Sequence, residues 1–484
     1  MKNKFIKISV CFLALTYLAG CESKLDEFQS YSQVTLDNFY QTPQDFEQAK
    51  NALYSAFRVG GYYNGSGAAR DYAIVPDVMS DNLIFNTEGR QSGRATAEFT
   101  FTANDTPSSI YNAAYFMISR ANSILDRIDV LTDGDFKNDI QAQALAMRGI
   151  AHFDVVRSYS KIPTQSADAN ASIGVPYVET YDPLQTPPRL ATVAETYDKI
   201  IADLELASTL INTTTTDPTF LSLRAVKGIL SRVYLFKGDY TLAAQRAQEC
   251  IDAGATLVSR NNFPLLWLDA TNDDVLFKIA ITQQDANQIG SGYNQLLTGS
   301  IFSEYLCDFG LYQLYQNNDV RKNAYIQTSE TNGITYNHII KYFQDAAGQR
   351  FVDGKYLRTS EVYLNMAEAK FRLGDQFGAA QALNQIRSRR YSGFTPGNES
   401  GENLINAILL ERRLELAFES DRFYTLKRLG LPLQRSGFGH QFDGTGNIAS
   451  PQSVPASDFR WNFPIDQVTL NLNPNIVQNA GYSN

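Results

Sequence analysis

Two stretches decide how this chain folds: Leu235-Phe-Lys-Gly-Asp-Tyr-Thr-Leu-Ala-Ala244 and Phe371-Arg-Leu-Gly-Asp-Gln-Phe-Gly-Ala-Ala380. Each lies between two runs with helical periodicity. Gly238 and Gly374 stand where a helix would end in a left-handed conformation. Asp239 and Asp375 stand where the next helix needs an N-cap. The paired alanines that follow let the second helix approach the first closely. The spacing matches on both sides of the turn, which argues for a repeated unit over two unrelated hairpins.

A helix, a Gly-Asp turn and a helix opening on small residues form the tetratricopeptide pattern. Helical periodicity at 109–130, 137–160 and 193–236 extends it into a scaffold of helical hairpins. Val193, Tyr197, Ile200, Leu204, Ala207 and Ile211 share one face of a strongly amphipathic helix. Nearer the start, Thr42-Pro43-Gln44-Asp45 opens another helix, with Thr42 as N-cap and Pro43 in its first turn. Between the two repeats, 256–345 changes character. Val275 to Ile281 and Ile334 to Phe343 read as strands, and Gly290 to Asn294, Asn317-Asn318 and Asn332-Gly333 are turn signals. The predicted fold class is therefore mainly α: tetratricopeptide-like helical hairpins with a loop-rich, partly β face. Long insertions on such scaffolds are where function concentrates.

The N-terminus carries a different message. Met1 to Lys7 is basic and free of acid, and Ile8 to Ala19 is mostly apolar but too short to span a bilayer. This is the layout of a secretory signal. It ends in Leu18-Ala19-Gly20-Cys21, which resembles the lipobox of bacterial lipoproteins. That resemblance implies cleavage before Cys21, lipid on its sulfur and anchoring through two or three acyl chains. Residues 1–20 are then signal peptide, and 21–35 are lipid anchor and tether. The formal charge of the 484-residue chain is -9, and loss of Lys2, Lys4 and Lys7 takes it to -12. An acidic balance argues against nucleic acid as a partner. After cleavage Cys250 and Cys307 remain, and two buried thiols are favoured over a disulfide.

Enzyme signatures are weak. His152, His338 and His440 are far apart and form no short metal-ligand spacing. Gly65-Ser-Gly67 fails the dinucleotide pattern, and there is neither a P-loop nor a nucleophile elbow. Asp133 to Asp139 departs from a calcium loop at Lys137. No catalytic residue, metal ligand or cofactor site is therefore assigned. A glycosidase needs only two carboxylates placed by the fold, so that option is open on sequence grounds.

Four passages resemble the SusD/RagB-like nutrient-binding lipoproteins of Bacteroidetes outer membranes. They are Ala144 to Arg157, Arg358 to Ala369 with Leu383 to Arg389, Ile408 to Glu419 with Arg422 to Arg428, and Phe463 to Tyr482. Their order spans nearly the whole mature chain, and the lipobox fits beside them. The resemblance implies one SusD-like domain over 36–484. Its parts are an N-terminal SusD-like part to about 255, the insertion 256–345 and a C-terminal SusD/RagB part over 346–484. It further implies a lipid-anchored outer-membrane protein facing the cell exterior, which captures oligosaccharide or polysaccharide and passes it to a SusC-like TonB-dependent transporter. A peptide-binding member of the same family, a surface glycoside hydrolase and a helical-repeat adaptor are the alternatives.

Glycan capture needs aromatic faces for the apolar side of a sugar ring and polar groups for its hydroxyls. Tyr62, Tyr63, Tyr72 and Phe85 lie in or beside the first loop region, with Asp81, Asn82 and Arg90 as polar candidates. Tyr293, Tyr305, Tyr312 and Tyr315 lie in or beside the insertion. Plain packing competes with ligand contact at each of them. Trp267 and Trp461 are expected to be structural. Glu411, Glu415 and Glu419 share a helix stripe flanked by Arg412, Arg413 and Arg422, and this set is expected to be an ion-pair network in the scaffold.

Overall fold

The computed structural model describes residues 36–64, 70–284, 288–297 and 299–482. The expected signal segment, Cys21 and the tether lie outside the described residues. The chain forms two units, Met1–Gln48 and Ala49–Asn484, and the boundary falls within helix α1 (Pro43–Ser55). Helix α1 starts at Pro43 with Thr42 just before it, as expected, but the Thr42 hydroxyl is not the capping acceptor. The Thr42 hydroxyl donates to the Asp45 carboxylate at 2.7 Å, and that carboxylate accepts the Thr42 N–H at 2.7 Å. Asp45, in the first turn, therefore satisfies the backbone group that precedes the helix.

The second unit holds helices α2 (Ile110–Leu125), α3 (Asp135–Tyr159), α4 (Val193–Leu210), α5 (Leu223–Lys237) and α6 (Tyr240–Asp252). After the insertion come α7 (Thr359–Arg372), α8 (Gln376–Arg387), α9 (Gly401–Glu415) and α10 (Arg422–Arg428). Helices α5–α6 and α7–α8 form the repeated hairpins, and α6 packs on α7. Gly238 and Gly374 both turn at φ +86°, where a side chain would be strained. Asp239 accepts the N–H of Leu242 at 3.0 Å, and Asp375 that of Gly378 at 2.8 Å. Upstream, α2 packs on α3 and α3 on α4. All six apolar residues predicted for one face of α4 and its C-cap are buried. Arginine forks lace the seams: Arg148 to Asp203 at 2.7 Å between α3 and α4, and Arg232 to Glu361 at 2.6 and 2.7 Å between α5 and α7.

Residues 256–345 contribute strands β2 (Val275–Ile279), β3 (Asn294–Leu297), β4 (Ser300–Ser303), β5 (Tyr305–Cys307), β6 (Ile326–Thr331) and β7 (Ile334–Ile339). Strand β5 pairs with β1 (Leu83–Phe85) far upstream, and the antiparallel sheet runs β1-β5-β7-β6. Asn332 and Gly333 turn the β6–β7 hairpin at φ 52° and 83°, as an Asn-Gly pair should. Strand β8 (Gly354–Arg358) pairs with β2 and leads into α7. Trp267 and Trp461 are buried, and Cys250 and Cys307 are free buried thiols. Among the described residues no helix is long and apolar enough to cross a membrane.

The charged signature at the end of α9 folds into a buried network. Both Glu415 oxygens accept from Arg390 at 2.9 Å, with Arg358 at 2.9 Å and Arg321 at 3.2 Å completing the shell. Burial alone would raise the Glu415 carboxyl, but Arg390 and Arg358 outweigh it and hold the group well below the usual carboxylate range. Glu411 pairs with Arg321 at 2.6 Å and Arg387 at 3.1 Å. Glu419 does not continue the helical stripe. Helix α9 stops at Glu415, and Phe418 and Ser420 then take left-handed φ of 66° and 62°. That turn brings Glu419 to Lys341 and Arg358, each at 2.6 Å.

Glu415→Gln leaves three buried guanidiniums with too little negative charge around them. Urea denaturation should show a loss of about 3–5 kcal/mol. A loss below about 1 kcal/mol would mean that the cluster holds the helices through packing rather than charge.

Candidate functional site: a ring-bearing loop face

Three segments meet beside the β1-β5-β7-β6 sheet. Residues 86–98 follow β1, the short helix Phe309–Leu314 follows β5, and residues 435–450 follow strand β9 (Leu433–Gln434). The last segment reads Ser436-Gly-Phe-Gly-His-Gln-Phe-Asp-Gly-Thr-Gly446. Its glycines allow tight approach to neighbours. Gly444 turns at φ +84°, and a Cβ there would lie 2.6 Å from Phe309 Cδ1 and 2.9 Å from Phe438 Cδ1. Phe309 meets Phe438 edge to face at 5.2 Å and runs nearly parallel to Tyr312 at 6.1 Å. The Lys322 ammonium sits 4.3 Å from the Tyr312 ring centre. Phe438 is 39% exposed and Phe442 44%, far above core values. These rings form an accessible aromatic surface of the kind that stacks on flat or ring-shaped ligands.

Polar contacts fix the loops that carry the rings. Asn447 N–H donates to His440 Nδ1 at 2.9 Å, so the ring proton sits on Nε2 and donates to Glu88 at 2.7 Å. Asn447 Nδ2 donates to Thr87 at 2.8 Å, and Arg435 donates to the Ala97 carbonyl at 2.7 Å. The backbone N–H of Phe442 donates to the Thr335 carbonyl on β7 at 3.1 Å. Buried Glu304 accepts the Arg90 N–H at 3.2 Å and its Nε at 3.4 Å. The Arg90 side chain remains 43% exposed. A cleft of about 130 Å³ opens among Phe85, Arg94, Glu98, Tyr305, Arg435 and Ile448. Arg94 and Glu98 pair there at 2.7 Å, and the Phe85 and Tyr305 rings meet at 5.7 Å.

The structure thus brings Phe85, Arg90, Tyr305 and Tyr312 to this face and leaves the other sequence candidates away from it. Tyr62, Tyr63, Tyr72, Tyr293, Tyr305 and Tyr315 are buried, so these candidates are packed rings rather than exposed stacking platforms. For three of them the hydroxyl acts as an anchor. Tyr72 donates to Asp154 at 2.8 Å, Tyr305 to the Ser92 carbonyl at 2.8 Å and Tyr315 to the Leu414 carbonyl at 2.9 Å. Each ring enters the core while its hydroxyl ties down a neighbouring element. Asp81 and Asn82 are buried too. Asp81 holds Arg422 at 2.7 and 2.8 Å, and the Asn82 amide oxygen accepts from Arg413 at 2.8 Å. They fasten the first loop to α9 and α10 rather than face solvent. Phe309, Phe438 and Phe442 were not found by sequence reasoning. The Gly-aromatic alternation over 437–446 was the signal that could have found them.

Two buried ionisable groups lie beneath the face. Asp77 accepts the Ser420 N–H at 2.7 Å and the Tyr293 hydroxyl at 3.3 Å, and burial pushes its carboxyl up to about 7. Lys341 donates to the Ala417 carbonyl at 2.6 Å, and burial pulls its ammonium down to about 7. For Asp77 the folded value lies above the ordinary one. The folded chain then binds a proton that the unfolded chain lacks between pH 4 and 7, so this stabilisation fades as pH rises through that window. The Asp77→Asn chain carries no such ionisation. Its stability relative to wild type should grow by about 3 kcal/mol between pH 5 and pH 8 in paired urea titrations. A gap that does not change with pH would refute the buried, proton-binding carboxyl.

Comparison with known proteins adds an independent line. Residues 301–482 match the model described as SusD family, and residues 24–235 match the model described as starch-binding associating with outer membrane. A SusD-like protein P2 of Formosa agariphila is 26% identical over 534 aligned positions, covering 99% of this chain and 100% of that one. A crystal structure described as a putative sugar binding protein from Bacteroides vulgatus is 27% identical, with TM-score 0.79, covering 92% of this chain and 100% of its own. A SusD superfamily structure from Bacteroides thetaiotaomicron is 26% identical, with TM-score 0.78, covering 90% of this chain and 99% of its own.

Proposed function

We propose that this chain, which belongs to the SusD/RagB-like family, is a surface glycan-binding lipoprotein that passes its ligand to a SusC-type TonB-dependent transporter in the outer membrane. The ring cluster of Phe309, Tyr312 and Phe438 on the loop face carries this reading. Its faces would stack on the apolar side of sugar rings, Arg94 and Glu98 would meet hydroxyls at the neighbouring cleft, and the exposed Arg90 would add a further donor. A matching family model described as starch-binding and a similar structure described as a putative sugar binding protein support a glycan over a peptide. The reading assigns no catalytic step. It assigns residues 1–20 to a signal, Cys21 to the lipid and 21–35 to a tether. It also treats 256–345 as the part of the domain that builds much of the binding face.

Phe438→Ala with Tyr312→Ala should abolish retention on an affinity gel of the cognate polysaccharide or weaken it at least about tenfold, which is roughly 1.4 kcal/mol. The melting temperature should hold, because these rings lie outside the core. Unchanged retention would move the site elsewhere, and sustained turnover of the glycan by purified protein would replace the binding role with a catalytic one. Cys21→Ser should release folded, glycan-competent protein from cells that lack the transporter. If washed cells kept it, the lipid anchor would be wrong.

A further inference from the structure

A second concave surface lies away from the loop face, on the repeated hairpins. Helices α6, α7 and α8 and the segment Pro396 to Ser400 line a groove of about 960 Å³, far larger than the cleft beside Phe85. Its lining is mostly uncharged. Gln248, Gln381, Asn384, Gln385 and Asn398 present side-chain amides, and Tyr363 and Phe377 present rings. The charges that reach it are already paired, Glu399 with Arg387 at 2.7 Å and Lys370 with Asp375 at 3.8 Å. The Asn384 amide oxygen is buried and accepts no hydrogen bond from the chain, although the groove runs past it. Such an acceptor is met by an ordered water or by a ligand donor.

The sister hairpin shows what a structural version of this wall looks like. Aligning the two Gly-Asp turns sets Phe377 on Thr241 and Gly378 on Leu242. Thr241 is polar and exposed, as an outward helix position should be. Phe377 occupies the same outward position and is 76% exposed. At the next position glycine stands where the sister hairpin has leucine, and a Cβ there would collide with the capping carboxylate of Asp375. One hairpin therefore shows a polar rim, and the other shows a bare aromatic face.

We infer that this groove is a second carbohydrate site, which takes a neutral oligosaccharide segment with one sugar ring stacked on Phe377 and hydroxyls shared among the amides. Each amide offers both a donor and an acceptor, matching the paired donor and acceptor character of vicinal hydroxyls. One lining cation and one lining anion, each with a partner, give no net attraction for a uronate or a sulfate. A peptide is disfavoured for the same reason, since its termini and ionic side chains would find no counter-charge. The inference rests on the glycan-binding reading above. It extends that reading from one contact point to two on a single polysaccharide chain, which raises retention without tightening either site.

The test uses the full chain and hexasaccharides of four neutral types: α-glucan, β-glucan, xylan and mannan. Calorimetry and native mass spectrometry report affinity and stoichiometry. The wild type should bind one of them at two sites. Phe438→Ala with Tyr312→Ala should leave one site, and further Phe377→Ser with Asn384→Ala should remove it. Phe377→Ser with Asn384→Ala alone should halve the stoichiometry at unchanged melting temperature. A 1:1 wild-type complex abolished by the loop-face changes would overturn the groove site and keep the proposed function. Binding of none of these hexasaccharides to wild type would overturn the neutral groove site, while the loop-face reading stands or falls on its affinity-gel test. Saturation of the groove by a peptide library, lost with Phe377→Ser, would make its occupant a protein segment and refute the inference.

Discussion

One buried carboxylate holds the scaffold in register. Glu415 closes α9, Arg358 stands immediately before α7, Arg390 follows α8 and Arg321 belongs to the insertion, and all four meet within hydrogen-bonding distance. Asp274, at the start of β2, joins through Arg358 at 3.0 Å and Arg390 at 3.2 Å. Stripping water from so many charges costs several kcal/mol per ion, and the cost is offset only if every partner arrives in geometry. Helix packing tolerates small sliding motions, but forked guanidiniums do not. The cluster therefore selects one placement of three helices and the insertion. Its contribution is better seen as specificity of arrangement than as net stability.

The strained turn that follows extends that control to the binding face. Phe418 and Ser420 sit in left-handed backbone that costs on the order of 1 kcal/mol or more for each residue with a side chain. The strain is held by many partners. Lys341 holds the Ala417 carbonyl, Tyr325 the Glu415 carbonyl at 2.9 Å, and Asp77 the Ser420 N–H. Asp77 belongs to the segment that runs into β1 through Asp81 and Asn82, which Arg422 and Arg413 grip from either side of the turn. Placement thus passes from Glu415 through the turn to the first loop, and from β1 across the sheet to the rings.

The hairpins were legible because their signals are local. A glycine with forced positive φ and an aspartate three residues before the N–H it caps act within a single turn. Residues 275–279 and 334–339 were legible as strands for the same reason, although the partner of β5 lies more than two hundred residues upstream and left no trace in the local pattern. The ion network was legible as a set of charges but not as a set of pairs. Glu419 reads as the third member of a helical stripe, and only the backbone reversal at Phe418 sends it to Lys341 instead. The loop tyrosines stay open between packing and ligand contact because a platform and an anchor look alike in sequence. Both are aromatic residues amid glycine and asparagine, and only the direction of the ring tells them apart.

That ambiguity has a physical resolution in the side chains themselves. A tyrosine in a loop can bury its ring and still satisfy its hydroxyl on a nearby carbonyl, as Tyr305 and Tyr315 do. Anchoring uses both ends of the side chain. A stacking surface uses only the face, so a hydroxyl adds little there, and two of the three clustered rings are phenylalanine. Buried tyrosines hold the loops still so that exposed phenylalanines present fixed faces. A fixed face loses little entropy on binding, yet without hydrogen bonds of its own it gives modest affinity. For a protein proposed to capture a glycan and then yield it to a transporter, a firmly held and weakly adhesive surface is the combination that lets capture and release occur at one site.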